Sequence, residues 1–193
     1  MEVEKTSIEG LLVIRVNKFE DERGLFYESF NYRDFLNNTI GSYQYTGRFD
    51  FYQDNISISH KNVIRGLHFQ KEPHAQGKLV QVLNGLALDV AVDLREGSPT
   101  FGQHETVMLS GGDNKLFWIP TGFAHGFKSL ADNTHFHYKC TNYYNKESEG
   151  GIRYDDSDLG IDWGKEKPIV SEKDLLLPKL RDIYPLDDKV KKE

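Results

Sequence analysis

The sequence predicts an all-β fold, an antiparallel sandwich or barrel with a few short helices at its periphery. Seven short segments have the composition of β-strands, rich in β-branched and aromatic residues. Glycine and proline separate them at short intervals, and no long amphipathic helix lies between them. Many short strands in that arrangement favour an antiparallel architecture over a parallel sheet with crossover helices. The segments are 27–30, 54–59, 78–83, 86–94, 104–109, 116–119 and 134–141.

The segment 86–94 has the clearest strand pattern. The residues between its apolar positions are small or acidic, and Asp89 and Asp93 are among them. Because side chains point to alternate faces of a strand, one face is apolar and the other is small and acidic. The apolar positions are Leu86, Leu88, Val90, Val92 and Leu94.

Helices are predicted at two peripheral places, at about 32–38 and from Glu172 onward. Ser171 stands just before the second helix and Asp174 follows three residues later, which is close to a capping box. The lysine- and aspartate-rich residues 186–193 are expected to be a frayed tail. No repeat, low-complexity tract or long linker divides the chain, so residues 1–193 are predicted to form a single domain.

Composition and charge argue against several classes of protein. The chain of 193 residues is 38% hydrophobic and 28% charged, as in ordinary globular proteins and unlike disordered ones. Its formal net charge of -6 argues against nucleic-acid binding, because proteins that bind nucleic acid usually carry a basic face. An anionic ligand would therefore need a local cluster of cations.

Cysteine use and apolar runs indicate the cellular location. The single cysteine, Cys140, excludes an intrachain disulfide and a zinc site built on cysteines, and it fits a reducing compartment. The acidic N-terminus is not followed by a signal-peptide stretch, and no apolar run approaches the ~20 residues that span a bilayer. We expect a cytoplasmic protein without a membrane partner.

The segment 62–70 places Arg65 and His68 three positions apart in a run that suits a buried strand. Burying such polar groups is unfavourable unless they are paired or used in chemistry. In an extended strand the two side chains point to opposite faces unless Gly66 introduces a bulge or bend. A core histidine bonded to the backbone and a functional histidine both fit this segment taken alone.

Lys78 begins another strand-like segment and could simply be a solvated strand end. The residues around it do not form a phosphate-binding Walker loop. No glycine lies five residues before Gly77, and Leu79 stands where serine or threonine would hold magnesium. A dinucleotide-binding glycine fingerprint is also missing from the sequence.

The stretch 118–127 contains a Pro-x-Gly-x-x-His turn that ends at His125, and it resembles the second signature of the cupin jelly rolls. That signature delivers a histidine to the barrel interior. Metal-binding cupins add a His-x-His pair and a glutamate from their first signature, but here Gln70 stands two residues after His68. A metal needs three or four correctly spaced ligands, so no metal site is predicted.

A second His-x-His pair, His135 and His137, lies on one strand face by alternation. No carboxylate or third histidine accompanies it at suitable spacing, so an exposed strand face is favoured over a metal site. Tyr138, Tyr143 and Tyr144 follow this pair. Most tyrosines at such positions only pack with a satisfied hydroxyl, so the cluster alone assigns no chemistry.

Taken together, these stretches resemble the dTDP-4-dehydrorhamnose 3,5-epimerase family, from Ile8 near the start to Asp174 near the end. Chance similarity does not produce such an ordered set of matching segments. The resemblance implies a cupin-type jelly roll, a homodimer, and neither metal nor cofactor. Its most specific segments are 21–29, 53–55, 65–70, 76–80, 98–102, 122–127, 138–139 and 159–161.

The resemblance also implies catalytic roles. It matches the family's base with His68, its acid on the opposite face of the sugar with Tyr138, and the acid that orients the base with Asp174. Asp174 could instead be only a helix-capping acid, and Asp89 is the alternative partner of His68. Lys78 joins the catalytic set as a cation for a developing enolate.

Residues that would bind the nucleotide sugar are matched in the same way. They are expected to supply the cations that the overall charge lacks, with arginine suited to the diphosphate. Tyr144 is expected to stack on thymine. The other residues are Arg23, Phe26, Glu28, Gln53, Asp54, Asn55, Arg65, Lys78, His125, Glu149 and Lys173.

The substrate implied by the resemblance is a dTDP-linked 4-keto-6-deoxyhexose, dTDP-4-dehydro-6-deoxy-D-glucose. Its C4 ketone acidifies the hydrogens on C3 and C5, so a proton can leave to an imidazole and return from a phenol on the other face. The expected reaction is epimerisation at both carbons. Two alternatives stay open: epimerisation at one carbon of a related nucleotide-linked 4-keto sugar, and non-catalytic binding of nucleotide sugars.

Overall fold

The structure is a computed structural model that describes residues 1–39 and 50–184, and these contain thirteen strands and three short helices. In chain order the strands are β1 (Glu2–Lys5), β2 (Leu12–Arg15), β3 (Lys18–Asp21), β4 (Gly24–Tyr27), β5 (Gln53–Ser59), β6 (Ile64–Gln70), β7 (Lys78–Asn84), β8 (Leu86–Asp93), β9 (His104–Ser110), β10 (Lys115–Ile119), β11 (Phe123–Ser129), β12 (Thr134–Cys140) and β13 (Glu149–Gly151). The helices are α1 (Tyr32–Thr39), α2 (Glu172–Leu175) and α3 (Leu180–Ile183).

Two sheets enclose the hydrophobic core. The six-stranded sheet has the order β1-β2-β10-β7-β12-β5, the five-stranded sheet has the order β13-β6-β11-β8-β9, and β3 and β4 form a separate hairpin. Neighbouring strands are antiparallel throughout these sheets. One buried cluster draws Val80, Phe117 and Phe136 from the first sheet and Leu109 and Phe127 from the second. The predicted all-β, cupin-type antiparallel jelly roll with short peripheral helices is confirmed.

A pair of stacked rings joins the two sheets. Phe127 of β11 and Phe136 of β12 have ring centroids 3.9 Å apart and an interplanar angle of 2°. Because β11 and β12 belong to different sheets, the two rings set the local distance between the layers. Aromatic rings in such contact remove a large apolar area from water.

Six of the seven strands predicted from the sequence are confirmed, as β5, β7, β8, β9, β10 and β12. The prediction of a strand at 27–30 was wrong, because β4 ends at Tyr27. Phe30 leaves the hairpin and packs against Phe35 and Phe51, with ring centroids 5.9 Å and 5.1 Å away. The aromatic composition of that segment therefore reflects packing around α1 rather than sheet pairing.

Helix α1 confirms the helix predicted at about 32–38. The C-terminal helical region begins at Glu172 as predicted but consists of two single turns, α2 and α3. Pro178 lies between them, and the residue before a proline disfavours helical backbone. The predicted frayed tail, residues 186–193, lies outside the described residues. None of the described helices has the length and apolar character needed to cross a membrane.

Candidate active site

A cavity of about 490 Å³ opens between the two sheets, and we call it the central cavity. Strands β6 and β11 line it from the five-stranded sheet, and β5, β7 and β12 line it from the six-stranded sheet. Residues 169–171 and Asp174 complete the lining. A smaller space of about 120 Å³, the side pocket, shares His68, Lys78 and Tyr138 with the central cavity.

A bulge in β6 brings Arg65 and His68 to the same cavity. In the pairing with β11, His68 lies opposite His125 and Arg65 lies opposite Phe127, so β6 has one residue more than its partner over this span. Gly66, within the bulge, has a φ of 117°, which glycine adopts without strain. A Cβ there would lie 2.7 Å from the carbonyl oxygen of His125. The bulge that the sequence left open is therefore present, and only glycine fits inside it.

His68 is held by the carboxylate of Asp174. The Nε2 atom of His68 lies 2.8 Å from Oδ1 of Asp174, and Oδ2 accepts a hydrogen bond from the Gly66 amide at 3.1 Å. Burial raises the pKa of this carboxyl, but the hydrogen bond and charge of His68 and the Gly66 amide outweigh burial, and the pKa is lowered. An ionised carboxylate can only accept, so Nε2 of His68 donates, and in the neutral tautomer this leaves the lone pair on Nδ1.

Asp89, the alternative partner of His68, contacts His125 instead. The Nε2 atom of His125 lies 2.7 Å from Oδ1 of Asp89, and both side chains are buried. Because β11 lies between β8, which carries Asp89, and β6, which carries His68, the strand order keeps Asp89 away from His68. The alternative assignment was therefore wrong. Burial lowers the pKa of His125 although the Asp89 carboxylate acts to raise it.

Lys78 and Tyr138 occupy the wall formed by the six-stranded sheet. Lys78 is 9% exposed, and its Nζ atom lies 6.0 Å from the centre of the Tyr138 ring. Burial lowers the pKa of Lys78, while Cys140, Asp89 and Glu149 act to raise it. Burial raises the pKa of Tyr138, so its phenol is protonated at neutral pH. This wall therefore presents a proton donor beside the lysine.

The side pocket collects five of the residues expected to bind the nucleotide sugar: Lys78, already described, and Gln53, Asn55, Tyr144 and Glu149. The Tyr144 hydroxyl donates to Glu149 at 2.9 Å, and Nζ of Lys173 donates to the other oxygen of that carboxylate at 2.6 Å. The side-chain oxygen of Gln53 accepts a hydrogen bond from the Tyr144 amide at 2.9 Å. Tyr144 itself is 51% exposed, which leaves its ring accessible for stacking.

Asp54, which was expected to contact the ligand, lines neither space. Side chains alternate along β5, so Asp54 lies on the opposite face from Gln53 and Asn55. Its carboxylate accepts a hydrogen bond from Nζ of Lys139 at 2.8 Å. This chain therefore does not bring Asp54 to either space, and its expected contact with the ligand stays a prediction.

Arg23, Phe26 and Glu28 also lie away from both spaces. Arg23 and Phe26 belong to the hairpin region of β3 and β4, where the Arg23 side chain is 84% exposed and Phe26 is 70% exposed. Glu28 follows the hairpin and faces a separate groove. Because the hairpin is not part of either main sheet, this chain does not bring the three residues to its own central cavity.

Several residues that line the central cavity were missed by sequence reasoning. Alternation could have placed Ser57 and Phe136, because they share strand faces with Asn55 and Tyr138. No alternation or motif in the sequence around Ile169 indicated that these residues line the cavity. They return to the cavity from a distant part of the chain, held by a hydrogen bond from the Ile64 amide to the Ile169 carbonyl at 2.9 Å.

Across residues 1–39 and 50–184, no three histidine, cysteine or carboxylate side chains are grouped so that they could hold a metal ion. The Nδ1 atom of His137 lies 3.0 Å from Nε2 of Gln81, and its Nε2 atom lies 3.6 Å from the Asp54 carboxylate. Burial lowers the pKa of His137, against the effect of Asp54. His137 therefore belongs to a polar cluster on the face of β12 that points away from Tyr138.

The fold and the cavity have the features expected of an acid–base enzyme built on a jelly roll. An imidazole oriented by a buried carboxylate and a protonated phenol line one cavity from different sheets. Such a pair can take a proton from one face of a bound molecule and return a proton to the other.

Comparison with known proteins identifies the family. A family model described as dTDP-4-dehydrorhamnose 3,5-epimerase matches residues 5–182. The chain is 48% identical over 181 residues to the dTDP-4-dehydrorhamnose 3,5-epimerase of Salmonella typhimurium, which covers 93% of this chain and 96% of that protein. The chain belongs to the dTDP-4-dehydrorhamnose 3,5-epimerase family and is an isomerase of that type.

Two solved structures are similar over nearly the whole chain. The crystal structure of dTDP-4-dehydrorhamnose 3,5-epimerase from Elizabethkingia anophelis has a TM-score of 0.86 and 48% identity, covering 94% of this chain and 97% of that one. The dTDP-6-deoxy-D-glucose-3,5-epimerase from Legionella pneumophila, solved in complex with dTDP-4-keto-L-rhamnose, has a TM-score of 0.86 and 46% identity, covering 93% of each chain.

Proposed function

We propose that this chain epimerises C3 and C5 of dTDP-4-dehydro-6-deoxy-D-glucose, giving dTDP-4-dehydro-L-rhamnose, with His68 as base and Tyr138 as acid. The observation that carries the proposal is that these two side chains line one cavity from different sheets. Membership of the family and the likeness to the Legionella enzyme, solved with dTDP-4-keto-L-rhamnose, support the same substrate class.

His68 removes the proton. The C4 ketone acidifies the hydrogens on C3 and C5, and breaking one C–H bond leaves its electron pair in an enolate. The Nδ1 lone pair of His68 accepts that proton, because Nε2 is engaged with Asp174. The Asp174 carboxylate then stabilises the imidazolium that forms.

Lys78 stabilises the enolate oxygen. Its side chain lines the central cavity and is buried, where a fixed charge acts more strongly than in water. The carboxylates of Asp89 and Glu149 favour the charged form of Lys78 against the effect of burial. In its charged form Lys78 places an ammonium group at the cavity wall, where negative charge develops on the substrate.

Tyr138 returns a proton to the carbon from the opposite side. The electron pair of the enolate's carbon–carbon double bond forms the new C–H bond with inverted configuration, and a lone pair on the enolate oxygen re-forms the C4 carbonyl. The phenolate then takes a proton from solvent, and His68 releases the one that it accepted. The sugar is neither oxidised nor reduced overall, so the reaction balances in protons alone.

The dTDP group is assigned to the side pocket. Tyr144 offers an exposed ring for thymine, and Gln53 and Asn55 offer amide groups at the same pocket. Arg65, at the central cavity, suits the diphosphate because a guanidinium donates in a fork. Lys173 adds a second cation next to Glu149.

Proton NMR in deuterated water tests the proposal, with dTDP-4-dehydro-6-deoxy-D-glucose as substrate. Loss of both the C3 and the C5 proton signals, with formation of the rhamno product, is expected. Loss of one signal would identify a single-carbon epimerase, and retention of both would identify a binding protein without activity. In His68→Ala both signals should persist, with turnover reduced by roughly 10² to 10⁴.

We infer in addition that the chain is a homodimer. Ile56 and Ile58 on β5 are 61% and 60% exposed, and Phe19 and Phe26 of the hairpin are 63% and 70% exposed. Apolar side chains exposed to this degree gain stability when a partner covers them. In a dimer, Arg23, Phe26 and Glu28 could contact the ligand bound in the cavity of the second copy. Light scattering should find a dimer for the wild type and a monomer for the Ile56→Asp/Ile58→Asp variant, and a monomeric wild type would contradict the inference.

The proposal includes a cytoplasmic location. Cys140 is a buried free thiol, which suits a reducing compartment. Fractionation of the source cells, followed by detection of the protein in the soluble cytoplasmic fraction, tests it.

A further inference from the structure

Ser171 connects the C-terminal region to the proposed base. It is the N-cap of α2, and its side-chain oxygen accepts a hydrogen bond from the Asp174 amide at 3.1 Å. It also lines the central cavity. The Ser171 hydroxyl is therefore bonded directly to the residue whose carboxylate holds His68.

The cap of α2 is only half of a capping box. In a complete box the acid at the third helical position accepts a hydrogen bond from the N-cap amide. Helix α3 has that arrangement, because the Asp182 carboxylate accepts the Lys179 amide at 2.9 Å. The Asp174 carboxylate instead binds His68 and the Gly66 amide. The start of α2 is thus capped by serine alone, and the acid that would complete the box faces the cavity.

The brevity of α2 makes this cap important. A helix of four residues has almost no stability of its own, so contacts at its ends decide whether it forms. The backbone of Ile169 is hydrogen-bonded to the Asn62 carbonyl, just before β6, and to the amide of Ile64, its first residue, each at 2.9 Å. Those bonds hold the chain as it enters the helix, and the Ser171 hydroxyl holds the Asp174 backbone within it.

The electrostatics of Asp174 agree with this geometry. Burial acts to raise the pKa of its carboxyl, and His68, the Gly66 amide and the Ser171 hydroxyl act to lower it. The hydroxyl therefore favours the ionised carboxylate as well as its position.

We propose that Ser171 is a positioning residue of the epimerase: by capping α2 at the Asp174 amide, it aims the Asp174 carboxylate at Nε2 of His68. The inference rests on the proposed function, in which His68 is the base. Loss of the hydroxyl displaces the carboxylate, weakens the preference for a proton on Nε2, and leaves fewer molecules with a lone pair on Nδ1. The rate falls while the groups assigned to dTDP stay in place.

Kinetics of three variants test the positioning role. Ser171→Ala should lower kcat by roughly 5- to 30-fold with little change in KM, since loss of a cap shifts a helix equilibrium by about that factor. Ser171→Thr should restore most of the rate, because threonine also caps helices. Asp182→Ala removes the equivalent acid from α3, which carries no residue of the central cavity, and should keep the wild-type kcat and pH profile.

Nitrogen-15 NMR of the His68 ring supplies a readout that needs no substrate. The wild type should show the Nε2–H tautomer, and Ser171→Ala should show an increased share of Nδ1–H. An unchanged tautomer together with an unchanged kcat in Ser171→Ala would overturn the proposal. Equal losses of kcat in Ser171→Ala and Asp182→Ala, in step with Tm, would overturn it as well. A shifted tautomer in a protein that exchanges no sugar protons would leave the positioning role standing and reject the proposed function.

Discussion

His68 and Tyr138 line the same central cavity from different sheets, the first from β6 and the second from β12. A ring bound between the sheets presents one face to the imidazole and the other to the phenol. A single proton-transfer group would return the proton to the side from which it took it. The placement of two groups on two sheets is therefore what suits the cavity to inversion at carbon.

Tyr138→Phe should separate proton removal from proton return. Net epimerisation is expected to fall by roughly 10² to 10⁴, because the phenol is the donor on its face of the sugar. Exchange of the C3 or C5 hydrogen with deuterated water should continue through His68, and proton NMR measures both rates. Tyr154→Phe, at a tyrosine outside both the central cavity and the side pocket, should behave as wild type. Normal turnover by Tyr138→Phe would rule out the phenol as the acid.

Lys78 is expected to set the alkaline limit of kcat. Burial lowers its pKa, so Lys78 loses its proton at a lower pH than an exposed lysine does. The charged form is the one that stabilises the enolate, and kcat should therefore fall as pH rises through that pKa. In Lys78→Arg the guanidinium does not titrate, so the alkaline limb should move to higher pH or disappear, at a lower absolute rate. The pH profile of kcat is measured from neutral pH upward. If the alkaline fall of kcat occurs at the same pH in Lys78→Arg as in the wild type, a group other than Lys78 causes it.

Gly66→Ala and Gly24→Ala form a matched pair for testing the bulge. Both glycines have a φ of 117°, so the backbone strain of adding a side chain is alike. A Cβ at Gly66 would lie 2.7 Å from the His125 carbonyl oxygen, whereas a Cβ at Gly24 would meet no atom within 4 Å. Denaturant unfolding should show a loss of about 1–3 kcal/mol for Gly24→Ala and about 2–6 kcal/mol for Gly66→Ala. Epimerase activity should be lost only at Gly66, and equal effects at both sites would contradict the steric explanation.

Asp93 should make stability depend on pH in acid. Its buried carboxylate accepts hydrogen bonds from Arg95, Ser98 and Thr100 at distances between 2.6 and 2.9 Å. Burial raises its pKa, but these partners outweigh burial and lower it from 3.8 to about 2. Because the pKa of this carboxyl is lower in the folded protein than in the unfolded chain, the carboxylate stabilises the fold at pH values above its unfolded pKa. That contribution, about 2 kcal/mol, is lost as the pH falls through the folded pKa.

Asp93→Asn tests that dependence. The variant should be about 2 kcal/mol less stable than wild type at neutral pH, because the charged acceptor is removed. The difference should shrink as pH falls from about 4 to about 2, where the wild-type carboxylate takes up its proton. Thermal unfolding of both proteins across that range measures it. A difference that stayed constant would show that the charge is not the source.

The strands predicted most accurately are those with two unlike faces. Strand β8 alternates apolar with small or acidic residues, and β12 alternates aromatic with polar ones, so local sequence alone indicates their state. Strands β1 and β2 were not predicted, because β1 is mostly polar and β2 has only four residues. Their strand state depends on pairing with each other and with the distant β10, which no local window contains.

The central cavity is lined by His68, Lys78, Tyr138 and Asp174, which the sequence singled out, but the sequence did not determine how they are arranged. The choice between Asp174 and Asp89 as partner of His68 depended on strand order, since β11 separates Asp89 from His68. The face that Asp54 occupies depended on the register of β5. Arg65 reaches the cavity only because the backbone bulges at Gly66. Each outcome depends on long-range pairing, which composition and periodicity do not specify.

Phe127 and Phe136 have no titratable group, yet their stacked rings determine the distance between the two sheets that line the central cavity. The size of these two apolar side chains therefore sets the space available to a pyranose and its methyl substituent. Exchange of Phe127 for a smaller side chain would admit bulkier hexoses without removing a reactive group. Substrate tolerance in this scaffold can therefore diverge while the reaction itself stays the same.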